Sequence, residues 1–144
     1  MRIKTTHIDT GSHGYLSVSK KDLSKIYTEE QIQGITGYSG HNLTRVYLEE
    51  DKDATDFLRV CEEQSIQVDV KEGYNPNFKT KHNFDSNLYH FSANVGDKFI
   101  GHYDILYKVV ESGRRIKIEN EQGRTYKLPK SNPYDYVVKI VPTD

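Results

Sequence analysis

Two histidines and an aspartate crowd the start of the chain, in the stretch His7-Ile8-Asp9-Thr10-Gly11-Ser12-His13-Gly14. Residues two apart on a strand share a face, so His7 and Asp9 can project together, and a turn can fold His13 back across them. Two imidazoles and a carboxylate can bind Zn²⁺ or Fe²⁺, with His41 as the candidate further ligand, or they can supply general acid–base chemistry. The spacing matches no metal motif of defensible geometry. The leading reading is a hairpin whose turn needs Gly11 and Gly14 and whose polar side chains cap backbone groups. No metal, no cofactor and no catalytic residue is expected on that reading. Tyr15 and Tyr38 are its candidate contacts.

Three further constellations carry polar density. Gly37-Tyr38-Ser39-Gly40-His41-Asn42 fits neither a P-loop nor a dinucleotide fingerprint, and a hairpin turn accounts for its glycines. The run Glu49-Glu50-Asp51-Lys52-Asp53 lacks the alternating ligands and central glycine of an EF-hand. Acids at a helix N-terminus complement the helix dipole. The alternative is an acidic surface that imitates phosphate charge and engages a basic, nucleic-acid-binding protein. The candidate protein-contacting residues are therefore His7, Asp9, His13, Tyr15, Tyr38, His41, Glu49, Glu50, Asp51 and Asp53. Near the C-terminus, Arg114, Arg115, Lys117, Arg124 and Lys127 interleave with Tyr107 and Tyr126, the composition of a nucleic-acid groove, although Glu111, Glu119 and Glu121 weaken the field. No Ser–His–Asp or Cys–His arrangement is recognisable.

The elements that must position these groups are legible in the periodicity. Residues 2–9 alternate as a strand, Gly11 to Gly14 turns, and 15–18 reads as the return strand. Ser19-Lys20-Lys21-Asp22 and Thr28-Glu29-Glu30-Gln31 look like capping boxes that open two short helices, the second ended by Gly34. Residues 36–39 and 44–50 read as a strand pair joined across Gly40-His41-Asn42. Asp51 or Asp53 should then cap a helix to about Gln64, with an apolar stripe of Ala54, Phe57, Leu58 and Cys61. Residues 66–70 alternate as a last strand. The sum is an α+β unit over 1–73, of about five strands with two to three helices on one face. Residues 74–94, rich in Asn, read as a linker or long loop, with a short strand at 88–91. Residues 95–144 hold five short strands with turns at Ser112-Gly113 and Gln122-Gly123 and a break at Asn132-Pro133, which suits a small all-β SH3-like barrel.

Composition bounds the partners. The 144 residues are 35% apolar with a mean hydropathy of −0.77, offset by 11 tyrosines with large apolar bodies. No apolar run approaches the roughly 18 residues that span a membrane, so no membrane partner is expected. The segment behind Met1 has no apolar core of a secretory signal. The single cysteine, Cys61, excludes an internal disulfide and points to a reducing compartment. Residues 1–74 hold 9 Lys and Arg against 13 Asp and Glu, a balance of −4, and residues 75–144 hold 11 against 8, a balance of +3. Such a split is a sign of two surfaces with different partners.

The segments 7–16, Gly37-Tyr38-Ser39 and 46–54 resemble a family of small uncharacterised proteins encoded by bacteriophages, plasmids and similar mobile elements. The family opens on histidine–threonine–aspartate–proline–glycine–histidine–glycine–tryptophan and carries a "YLEEDCDA"-like stretch. Here Tyr15 stands for the tryptophan, Lys52 for the cysteine, and Ser12 is an extra turn residue. The resemblance covers residues 5–62. It implies a mobile-element origin; together with the small size, the acidic N-terminal unit and the lack of a catalytic signature, it leads to the expectation of a non-enzymatic protein in the cytoplasm of a bacterial host that contacts and inhibits a host protein, in its sharpest form an anti-CRISPR-like counter-defence inhibitor. The alternatives are a nucleic-acid-binding accessory protein acting through the basic C-terminal part, and a metal-dependent nuclease or hydrolase using His7, Asp9 and His13. The sequence leaves the oligomeric state open.

Overall fold

The hairpin at the N-terminus forms as the alternation requires. In the computed structural model, which describes residues 1–129 and 133–142, β1 (Arg2–Asp9) runs into β2 (Gly14–Ser19). Thr10 and His13 close the turn, with the Thr10 amide donating to the His13 carbonyl at 2.9 Å. Gly11, at φ +91°, takes the first of the two central positions, where two-residue hairpins use glycine.

Two units follow from the chain's contacts, Met1–Ser86 and Asn87–Asp144. In the first, α1 (Lys20–Ile26) starts at Ser19, whose hydroxyl accepts the Asp22 amide. Helix α2 (Glu29–Gln33) carries a full capping box between Thr28 and Gln31. Then come β3 (Gly40–His41), β4 (Arg45–Glu49), α3 (Asp53–Glu63) and β5 (Gln67–Tyr74). The sheet order is β3-β4-β2-β1-β5, antiparallel except for β1 beside β5, which run parallel across the α-helical crossover. Pairing places Leu16 beside Leu48 and Val18 beside Val46 on one face, and these four are fully buried. Leu23, Ile26, Ile32, Phe57, Val60 and Cys61 of the helices are buried as well. Each such side chain contributes about 1.5–3 kcal/mol relative to exposure.

Several sequence expectations need correction. Residues 36–39 are a turn and not a strand, and the strand is Gly40–His41, the supposed connection. Neither Asp51 nor Asp53 caps α3; its first flanking residue is Lys52 with no side-chain cap, because the Asp53 carboxylate is engaged elsewhere. The buried stripe of α3 uses Val60 in place of Leu58, which is exposed. The stretch 74–94 is irregular, yet it is packed. Phe78 lies against Tyr15 and Tyr47, with ring centroids 5.6 and 5.1 Å away, on the sheet face opposite Leu16 and Leu48. The backbone at Asn83 bridges to Gly40. Residues 75–86 thus belong to the first unit, and 88–91 is turn and loop, not strand.

The second unit is a five-stranded antiparallel sheet: β6 (Lys98–Ile100), β7 (Leu106–Glu111), β8 (Ile116–Asn120), β9 (Thr125–Leu128) and β10 (Lys139–Val141), in the order β10-β6-β7-β8-β9. The sheet is open. A short 3₁₀ turn at Pro133–Tyr136 carries the chain back so that β10 pairs with β6, and among the described residues no ladder joins β10 to β9. The expected closed barrel is therefore absent. Asn132, expected to break the chain with Pro133, lies outside the described residues. Phe99, Val109, Ile116 and Ile118 form the buried face, and Phe91 packs edge-on against Phe99 at 5.4 Å. No helix among the described residues is long and apolar enough to cross a membrane.

Candidate functional site

The polar groups of the first hairpin are spent on structure. Asp9 Oδ1 accepts the Gly11 amide at 2.8 Å, an Asx turn that rounds the hairpin. The backbone of His13 closes the turn with Thr10, through its amide and its carbonyl. His7 is half-buried between two glutamates: its Nδ1 lies 2.8 Å from Glu72 Oε2 and its Nε2 3.7 Å from Glu50 Oε2. A Cβ on Gly14 would meet Glu50 Oε2 and stand 2.8 Å from His7 Nε2, so a side chain there would push the Glu50 carboxylate and the His7 ring aside. Among the described residues, no group of three or more His, Cys, Asp or Glu side chains converges to hold a metal. His7, Asp9 and His13 are neighbours in sequence with separate tasks.

His41 is a core residue. It is buried on β3, its ring 5.4 Å from that of His82 and 5.0 Å from that of Phe84. Burial pulls its pKa down to about 3, with Lys20 and His82 acting in the same direction. Burial alone brings the Lys20 ammonium down to about 7. Neither group presents itself to a partner. Tyr15 is half-buried beneath Phe78.

The acidic run divides by burial. Glu50 and Asp51 are exposed and Glu49 is half-exposed, while Asp53 is buried. The Asp53 carboxylate accepts the Thr36 amide at 3.1 Å, the Thr36 hydroxyl at 2.6 Å and the Ser39 hydroxyl at 2.5 Å. Ser39 Oγ accepts in turn from the Glu49 amide at 2.8 Å. The turn 36–39 is thereby fastened at both ends to the β4–α3 corner. Tyr38, at its tip, is 82% exposed. Asp53 and Ser39 fasten the 36–39 turn to the end of β4 at Glu49, while the Glu50 carboxylate reaches back over the first hairpin toward His7. Ser39 was not among the candidate contacts; its signal was its place between Tyr38 and Gly40.

In the second unit the register separates the basic from the aromatic residues. Lys117 pairs with Lys127, and Ile118 pairs with Tyr126, so the lysines occupy one face and Tyr126 the other. Tyr107 lies on the same face as Phe99, stacked at 5.5 Å, with Tyr126 edge-on at 6.1 Å. The stacking platform expected among the cations does not form. Arg114, Arg115 and Arg124 are exposed at the two hairpin turns, and Lys117 pairs with Glu111 at 3.4 Å. Sequence reasoning also passed over a groove of about 440 Å³ in the first unit, lined by Lys4, Thr6, Arg45, Asp69, Val70 and Lys71. Arg45 is held there by Ser17, its Nε donating to Ser17 Oγ at 2.6 Å. These cations come from three strands, so no local motif announces them. No family model, no curated protein and no solved structure matches the chain.

Proposed function

We propose that the protein is a non-enzymatic binding protein of a phage or mobile element that contacts and inhibits a host protein, with counter-defence inhibition as its sharpest form. The observation that carries this reading is Tyr38, held in solvent at the tip of a turn bolted to buried Asp53. Tyrosine is among the residues that dominate binding energy at interfaces. A tyrosine on a fixed turn loses little freedom on binding, so more of its contact energy becomes affinity. Exposed Glu50 and Asp51 of the same unit favour a basic partner surface, and the family resemblance of residues 5–62 supports the mobile-element origin and the cytoplasm of a bacterial host. In the second unit, the last strand lying beside the first behind a 3₁₀ turn supports an SH3-like strand order, in an open form. The test is phage plating on a restricting host that expresses the protein. Relief of restriction by the wild type, lost with Tyr38→Ala, is the expected result; unchanged restriction with the wild type rejects the counter-defence role.

A second reading, nucleic-acid binding by the second unit, is favoured by two cross-strand lysine pairs on one face, Lys98 beside Lys108 and Lys117 beside Lys127. Like charges directly opposite repel; Glu119 opposite Lys108 and Glu111 at 3.4 Å from Lys117 offset part of this, and a polyanion would relieve the rest. With Tyr107 and Tyr126 on the other face, such binding would engage phosphates and be indifferent to base sequence. Affinity for an oligonucleotide that falls steeply with salt supports it; no binding at low salt rejects it.

A further inference from the structure

The geometry points to β5 as a self-complementary edge through which two copies of this chain pair antiparallel about a two-fold axis at Val70. Strand β5 is the outer strand of the first unit's sheet, eight residues long, and β1 covers only one of its edges. The ladder shows which backbone groups remain. Gln67 donates to the Met1 carbonyl at 3.0 Å and Asn75 to the Asp9 carbonyl at 2.9 Å. Amide direction alternates along a strand, so Gln67, Asp69, Lys71 and Gly73 face β1, and Val68, Val70, Glu72 and Tyr74 turn their N–H and C=O groups outward. Val70 is 42% exposed and Tyr74 68%. A row of unpaired groups of this length is a template for another strand.

The charges select the occupant and the register. With Val70 on the two-fold, Val70 of each copy exchanges both backbone hydrogen bonds with its mate, and Val68 does the same with Glu72 of the second copy, so every outward group of this central run meets an outward group. Asp69, whose carboxylate also accepts from Arg2 Nε of its own chain at 2.6 Å, then stands directly opposite Lys71 of the second copy, twice over, on the face that carries Lys4 and Thr6. Moving the two-fold by one residue places Asp69 opposite Asp69, or Lys71 opposite Lys71. Opposite charges across a strand pair stabilise and like charges destabilise, so the sequence favours one register and penalises its neighbours. The interface is isologous and joins two five-stranded sheets into one. It is independent of the Tyr38 surface, which lies at the β4–α3 corner.

Sedimentation equilibrium on the full chain tests this. The wild type should show a reversible monomer–dimer equilibrium. Lys71→Asp alone, and Asp69→Lys alone, should each raise the dissociation constant about tenfold or more. The double variant D69K/K71D should restore it, and mixing the two single variants should give a heterodimer tighter than either homodimer. Should a single variant fail to fold, hydrogen exchange on the wild type decides: the amides of Val68, Val70 and Glu72 should slow as protein concentration rises, while those of Asp69 and Lys71 should not change. A wild type that stays monomeric up to about 1 mM, where even a weak interface is populated, overturns the proposal. So does a dimer indifferent to the charge variants, single variants that dissociate without restoration in the double, or exchange that ignores concentration.

Discussion

The Ser39 hydroxyl donates to Asp53 Oδ2 at 2.5 Å while it accepts the Glu49 amide at 2.8 Å. Both side chains are buried, so the pair ties a surface turn to the sheet and to the first residue of α3 at one point. Removing one partner strands the others, and an unsatisfied buried polar group costs about 1–3 kcal/mol. Ser39→Ala leaves the Glu49 amide and one Asp53 lone pair without their partner. Asp53→Asn turns an NH₂ toward donors. Each should lower unfolding stability by about 2 kcal/mol in urea titration, and Tyr38 should become more mobile in both.

Glycines near this corner should respond unequally. A Cβ on Gly37 would meet no heavy atom within 4 Å, and its φ is not positive, whereas a Cβ on Gly40 would collide with the Thr80 side chain. Gly37→Ala should be neutral or stabilising by a few tenths of a kcal/mol, about 0.5 at most, through the unfolded chain. Gly40→Ala should cost about 1–3 kcal/mol by overpacking. Thermal unfolding of the two variants side by side checks the contrast.

The acid limb of stability should carry the signature of His41. Its pKa is near 3 in the folded chain against 6.5 for an ordinary histidine. Between those values the unfolded chain binds the extra proton, so this contribution is fully present above pH 6.5 and is lost as pH falls toward 3. From pH 6.5 to 5 the loss from this one group is about 2 kcal/mol. His41→Phe, which keeps a ring beside Phe84, should flatten the dependence over that window in urea titrations at fixed salt.

Cys61 should be inert in the native protein. It is buried on α3, and burial lifts its thiol to about 11. The thiolate is the reactive form, so labelling by a thiol reagent at pH 8 should be slow in buffer and fast in urea. Rapid native labelling would place Cys61 outside the core.

Most of the first unit could be read from residues 1–70, because hairpin alternation, Thr28 with Gln31, and the turn glycines are local signals. The failures share a cause. Thr36 to Ser39 alternates like a strand, but the Asp53 carboxylate, 14 residues beyond Ser39, captures its polar groups and turns it. Residues 75–86 carry no periodicity because their anchors, Phe78 and Asn83, bind to distant Tyr47 and Gly40. His41 looked like a ligand and is core; Asp53 looked like surface and is a clamp. Burial, which a sequence does not display, separates the two roles. In the second unit the cations and tyrosines are close in sequence, but the pairing of Lys117 with Lys127 and of Ile118 with Tyr126 puts these lysines and Tyr126 on opposite faces.

The proposed contact of Tyr38, on the turn that Asp53 fastens through Thr36 and Ser39, with a host protein can be measured directly. The most direct measurement is affinity capture from bacterial host lysate with three baits: the wild type, Tyr38→Ala, and the charge reversal Glu50→Lys/Asp51→Lys. One stoichiometric host protein is expected on the wild type, at least tenfold depleted on Tyr38→Ala and weakened by the charge reversal in a salt-dependent way. Equal recovery on all three baits, or no stoichiometric protein on the wild type, would contradict the proposed contact.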